Sequence, residues 1–171
     1  MVIVLVGFMG AGKSTVGRAL AGRLGLPFRD SDEVIEQAEG RTVQEIFAAD
    51  GEPAFRHLER SAIAALLQGP GAVLALGGGA VEDPATRAAL AAVPVVFLQT
   101  ELADALSRTD GDLGRPLLRR PDLPELFAHR QSAYRQVATV TVSTQDRTVE
   151  QLVDDVLSEL AALVRPMRGS Q

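Results

Sequence analysis

Residues 2–15 constrain this chain more than any other stretch. Val2-Ile3-Val4-Leu5-Val6 is a continuous apolar run, and Gly7-Phe8-Met9-Gly10-Ala11-Gly12-Lys13-Ser14-Thr15 follows it directly. Val16, Leu20 and Leu24 then recur at helical spacing. The pattern predicts strand, glycine loop and helix, with G-x-x-x-x-G-K-[ST] in the loop. Glycines let the main chain curl so that successive N–H groups aim inward at phosphate oxygens. The helix that starts there adds the positive end of its dipole. The candidate phosphate cradle is therefore Gly10, Ala11, Gly12, Lys13, Ser14 and Thr15. In it Lys13 reaches the β- and γ-phosphates and the Ser14 hydroxyl is a ligand for Mg²⁺. Glycine, lysine and hydroxyl at these offsets arise by chance at on the order of one start in 10⁴. Lys13 is also the only lysine in the chain; every other cationic side chain apart from histidine is arginine.

A chain of 171 residues fits one domain with a sizeable core. The net charge of −5 argues against a general nucleic-acid or anionic-membrane surface. There is no cysteine, which removes disulfide frameworks and thiolate metal sites. The apolar start has no basic lead-in and no small-residue cleavage site, so it reads as a core strand and not a signal peptide. No apolar run reaches the length of a membrane span.

Further strands are expected at Pro27–Arg29, Ala72–Leu76, Pro94–Leu98 and Ala138–Ser143, with helices between them. The last strand alternates Val140 and Val142 with Thr139, Thr141 and Ser143, as an edge strand does. Thr42 and Glu45 form a capping-box signal, Gly51 breaks the helix that follows, and a longer helix covers about Pro53 to Gln68. Residues 109–124, rich in Gly, Pro, Arg and Asp, read as a mobile loop. Residues 165–171 read as a flexible tail, leaving 1–164 as a single domain. Strands alternating with helices imply an α/β chain with a parallel sheet covered on both faces. Ligands then bind at the carboxyl ends of the strands.

Three loops fall at such ends. Beside the phosphate loop stand Asp30-Ser31-Asp32 and Gly77-Gly78-Gly79. One aspartate can support Mg²⁺ next to Ser14, and the other can orient a substrate hydroxyl or take its proton; helix capping is the alternative for either. Three consecutive glycines cost backbone entropy, which close approach of a ligand to the main chain would offset. Arg56 lies off the apolar stripe of Phe55 and Leu58, either paired with Glu52 or Glu59 or facing a ligand. Arg115, in the mobile loop, is placed to neutralise charge on a transferred phosphoryl group. His57 and His129 have no partner at metal-ligand spacing and read as surface residues.

Together these segments resemble the shikimate kinases, a group of small P-loop kinases. The resemblance runs from Val2 to about Leu160. It rests on the phosphate loop, Asp30-Ser31-Asp32 with Ile35-Glu36, Ile46-Phe47 with Gly51-Glu52 and Phe55-Arg56, the glycine triplet, Arg115-Pro116-Leu117-Leu118, and Arg130-x-x-x-Tyr134. It implies a three-layer P-loop NTPase fold with strand order 2-3-1-4-5. It implies ATP-dependent phosphorylation of the 3-hydroxyl of shikimate, with Mg²⁺, in a cytoplasmic monomer that binds neither nucleic acid nor membrane. By the same resemblance Ser14 would meet Mg²⁺, Asp30 would support it through water, and Asp32 would hold the substrate hydroxyls. Arg56 and Arg130 would take the substrate carboxylate, with Arg135 the alternative to Arg130, and Gly78 and Gly79 would touch the substrate. Lys13, Asp32 and Arg115 would be the catalytic set, with Arg115 over the ATP phosphates and Arg147 beside the adenine. The nearest rival is another small-molecule kinase of the same architecture, such as a gluconate kinase; the paired arginines and glycine triplet favour shikimate. A GTPase would need an Asn-Lys-x-Asp reader, and the chain has no asparagine and no second lysine. A non-catalytic adenine-binding module would lack phosphoryl transfer.

Overall fold

The structure, a computed structural model, describes residues 1–109 and 121–164. In chain order the elements are β1 (Val2–Val6), α1 (Lys13–Leu24), β2 (Phe28–Asp30), α2 (Ser31–Glu39), α3 (Val43–Gln68) and β3 (Ala72–Ala75). There follow a 3₁₀ turn (Ala80–Glu82), α4 (Pro84–Leu90), β4 (Val95–Gln99), α5 (Leu102–Thr109), α6 (Leu123–Val137), β5 (Val140–Ser143) and α7 (Val149–Val164). The five strands form one sheet in the order β2-β3-β1-β4-β5, every pair parallel. The parallel direction is the one the strand–helix alternation predicts, and the order is the one the resemblance implies.

Central β1 shows why the sheet is covered twice. Its side chains alternate between faces. Val2, Val4 and Val6 join Phe8, Leu74 and Phe97 in a core with Ile63 of α3, Leu90 of α4 and Tyr134 of α6. Ile3 and Leu5 join Val73, Val96 and Leu98 in a second core with Val16 and Leu20 of α1 and Val153 and Val156 of α7. At the edge, β5 buries Val140 and Val142 and exposes Thr141 and Ser143. A third, smaller cluster of Ile35, Ile46 and Phe55 joins α2 to α3, away from the two sheet cores.

Local signals act as the sequence predicts. Thr42 Oγ1 accepts from Glu45 N at 3.2 Å while Glu45 Oε2 accepts from Thr42 N at 2.7 Å, closing the capping box. Gly51 takes φ 82°, so α3 is two helices meeting at a kink. Thr148 caps α7, accepting from Gln151 N at 3.2 Å. The segment 109–124 differs from its expectation at both ends. Thr109 ends α5, and α6 begins at Leu123, which is buried, with Pro124 in the first turn where its missing N–H leaves nothing unpaired. The rest of the expected loop, 110–120 with Arg115, and the expected tail, 165–171, lie outside the described residues.

Candidate active site

The carboxyl ends of β1, β2 and β3 bring the three expected loops together. At the first, Gly10 has φ 76°, and a Cβ there would stand 2.5 Å from the Ala105 carbonyl, so only glycine lets α5 pack this closely. Gly12 has φ 89° and precedes the first turn of α1. Lys13 folds back over its own loop, Nζ donating to the Gly7 carbonyl at 2.8 Å and to the Phe8 carbonyl at 3.1 Å. Arg108, which the sequence reading missed, donates from Nη1 to the Gly10 carbonyl at 3.3 Å. Its signal, a cation at the end of the helix after β4, is too common to stand out.

At the second loop Asp30 serves both sides. Oδ1 accepts from Asp32 N at 3.0 Å, capping α2, and Oδ2 accepts from Ser14 Oγ at 2.9 Å. Capping and support of the phosphate loop are thus one geometry and not alternatives. The Ser14 hydroxyl and an Asp30 oxygen form a pair of hard donors of the kind Mg²⁺ prefers. Among the described residues no group of three or more His, Cys, Asp or Glu forms an all-protein metal cage.

Asp32 points the other way. Its Oδ1 is enclosed and has no hydrogen-bond partner. Burial, then the neighbouring charge of Asp30, pushes its carboxyl up to about 6, while Lys13 and Arg56 draw it down less strongly. An enclosed acceptor with raised basicity suits a group that receives a proton or a hydroxyl hydrogen bond.

The glycine triplet lies between these acids and two arginines. Gly77 N donates to the buried Ser31 hydroxyl at 3.0 Å, tying the triplet to α2. A Cβ on Gly77 would stand 2.8 Å from both Asp32 Oδ1 and Glu59 Oε1. On Gly79 a Cβ would collide with the Arg56 guanidinium. On Gly78 it would lie 3.3 Å from the Tyr134 hydroxyl and 3.6 Å from Arg130 Nη1. The triplet is therefore a close-approach surface, lined by side chains from α2, α3 and α6.

Arg56 is held by Glu52, through Nε at 3.3 Å and Nη2 at 3.1 Å, and by Glu59, through Nη1 at 2.6 Å. Both partners foreseen for a solvated arginine are present, yet this side chain is only 21% exposed and faces the triplet. Burial pushes Glu59 up to about 7, with Arg56 only partly opposing it. Arg130 is buried on α6 with Nη1 toward Gly78, whereas Arg135 is exposed. One turn on from Arg130, Tyr134 donates to the Gly78 carbonyl at 2.6 Å, and burial holds its hydroxyl protonated.

Thus Lys13, Ser14, Asp30 and Asp32 gather at the ends of β1 and β2, and beside them Arg56 and Arg130 face Gly79 and Gly78. Arg147, in the loop after β5, has its ion pair elsewhere, with Asp155 of α7 at 3.6 Å. Sequence reasoning named Glu59 only as a partner for Arg56 and did not name Glu82, because the place of each beside the triplet is fixed by the fold. His57 and His129 are both exposed, as expected.

The family model described as shikimate kinase matches residues 9–161. A shikimate kinase from Salinispora arenicola (strain CNS-205) is 51% identical over 164 residues, covering 94% of this chain and 98% of the relative. One from Thermobifida fusca (strain YX) is 48% identical over 162 residues, 93% and 94% of the two chains. Among solved structures, a shikimate kinase from Acinetobacter baumannii in complex with shikimate superposes with a TM-score of 0.91. It is 38% identical and covers 96% of this chain and 95% of that one. With a matching family model and near-complete coverage of relatives about half identical to it, the chain belongs to the shikimate kinase family.

Proposed function

We infer that this chain transfers the γ-phosphoryl group of ATP to the 3-hydroxyl of shikimate, giving shikimate 3-phosphate, a step of chorismate and aromatic amino-acid biosynthesis. The observation that carries the substrate is the grouping of Arg56, Arg130 and Asp32 around Gly77–Gly79. Shikimate is a polyol with one carboxylate. Guanidinium groups match the carboxylate, and an enclosed carboxylate acceptor matches its hydroxyls.

In this reading the N–H groups from Gly10 to Thr15 hold the phosphates, and Lys13 exchanges its loop carbonyls for β- and γ-phosphate oxygens. Ser14, and Asp30 through water, would hold Mg²⁺, which neutralises phosphate charge when bound. Arg56 and Arg130 fix the acid so that its 3-hydroxyl faces the terminal phosphorus. The hydroxyl oxygen bonds to phosphorus as the bond to the β–γ bridging oxygen breaks, and the hydroxyl proton passes to Asp32. Charge accumulating on the departing ADP is met by Lys13, the loop N–H groups and Arg115. Arg147 lies to the adenine side. Residues 1–164 act as one kinase domain, a cytoplasmic monomer whose partners are its two small substrates. Among the described residues no helix is long and apolar enough to cross a membrane.

A coupled ADP-release assay tests this across shikimate, gluconate and nucleoside monophosphates, with and without Mg²⁺. Turnover should appear with shikimate and Mg²⁺ and fall by about 100-fold or more when either is left out. Equal turnover with gluconate would overturn the assignment.

A further inference from the structure

Arg130 is a nearly enclosed charge, with 5% of its side chain exposed. A guanidinium in such a place needs a carboxylate partner. Glu82 provides it, Oε1 accepting from Nε at 3.4 Å and Oε2 from Nη2 at 3.2 Å. One edge of the guanidinium is thereby engaged. The remaining nitrogen, Nη1, lies against Gly78. The arrangement repeats what Glu52 does on the other arginine, gripping its Nε and Nη2 while the guanidinium abuts Gly79.

Glu82 is itself well anchored. It ends the 3₁₀ turn that leaves the glycine triplet, with its N–H donating to the Gly79 carbonyl at 3.0 Å. Arg87 Nη1 donates to the carbonyls of Val81 at 2.9 Å and Glu82 at 3.1 Å. Asp83, the next residue, caps α4 and takes an ion pair from Arg60. On the α6 side, Arg130 and Tyr134 both reach this turn. The exposed His129 stands 4.0 Å from Glu82 Oε1, at the outer rim of the pair.

We propose that Glu82 is a positioning residue for acid recognition: it grips the Nε edge of Arg130 and so directs the Nη1 end toward the glycine turn, where the substrate carboxylate docks. This rests on the reading of Arg130 as a carboxylate ligand. By charge alone Glu82 would weaken an anion's binding. Orientation outweighs that here because an enclosed guanidinium stripped of its carboxylate reorients to find another acceptor, and the substrate must then restore the lost geometry.

The test measures steady-state kinetics and melting temperature of the full chain as wild type, Glu82→Ala, Glu82→Gln and Arg130→Ala. Glu82→Ala should raise KM for shikimate by about 5-fold or more, with KM for ATP within about 2-fold of wild type and kcat little changed. Glu82→Gln, which keeps one oxygen acceptor, should fall between the two. With a shikimate analogue carrying a carboxamide in place of the carboxylate, Glu82→Ala and wild type should agree within about 2-fold. An unchanged or lowered KM for shikimate in Glu82→Ala, or equal rises for both substrates, overturns the proposal. If Glu82→Ala does not fold, Glu82→Gln decides, and a wild-type KM there overturns it. Arg130→Ala separates the two levels: a raised KM there without one in the Glu82 variants removes this proposal alone. An unchanged KM in Arg130→Ala removes the carboxylate-site reading itself.

Discussion

Asp32, the proton acceptor of the proposed reaction, shows at the scale of one residue how such a group is kept at a cost to the fold. Its carboxyl is held up at about 6, above the usual value of 3.8, so the folded state resists its ionisation. The proton is therefore bound more tightly in the folded chain than in the unfolded one. Stability linked to this group is greatest below about pH 4 and is lost as pH rises through about 6. Asp32→Asn cannot ionise and escapes the loss. It should be more stable than wild type by about 1–3 kcal/mol at pH 7.5, with the gain disappearing near pH 4, while turnover falls by about 100-fold or more. Urea denaturation at the two pH values checks the first part, and a variant no more stable at pH 7.5 would contradict it. The sequence marked Asp32 by its place after a strand, but burial of Oδ1 and the distance to Arg56 belong to the fold.

The glycine triplet makes the same point for an element. Its glycines stood out in the chain, but what approaches them did not, since Arg56, Arg130 and Tyr134 arrive from helices far along the sequence. A methyl group on Gly79 would meet the end of a flexible arginine and not a rigid wall. Gly79→Ala should therefore fold with a nearly unchanged melting temperature while displacing Arg56, raising KM for shikimate by about 10-fold and leaving that for ATP alone. Equal effects on both substrates would place the damage elsewhere. The elements themselves were legible because local signals sufficed: unbroken apolar runs for β1 and β4, alternation for β5, a capping box and the Gly51 kink for α3. The start of α6 was missed because Leu123 and Pro124 sit among turn-forming residues, and only the burial of Leu123 against the sheet core decides it. Glu82 escaped because a carboxylate among many says nothing until its cation is located.

For the molecule as a whole, the proposed reading puts two binding regions side by side at the carboxyl edge of the sheet, with one side chain shared between them. Asp30 is bonded on one side to Ser14 of the nucleotide loop and on the other to the backbone of Asp32, whose ionisation its charge opposes. A cation arriving with the nucleotide beside Ser14 would offset that opposition and hold Asp32 ionised, as accepting the substrate's hydroxyl hydrogen bond requires. The two guests should then assist one another through an aspartate that neither donates nor receives the transferred group. Calorimetric titration with shikimate should give a dissociation constant lower by about 3-fold or more when a non-hydrolysable ATP analogue and Mg²⁺ are already bound, with the reciprocal gain for the nucleotide. Asp30→Ala should erase that mutual help, since the intermediary that relays one arrival to the other would be gone.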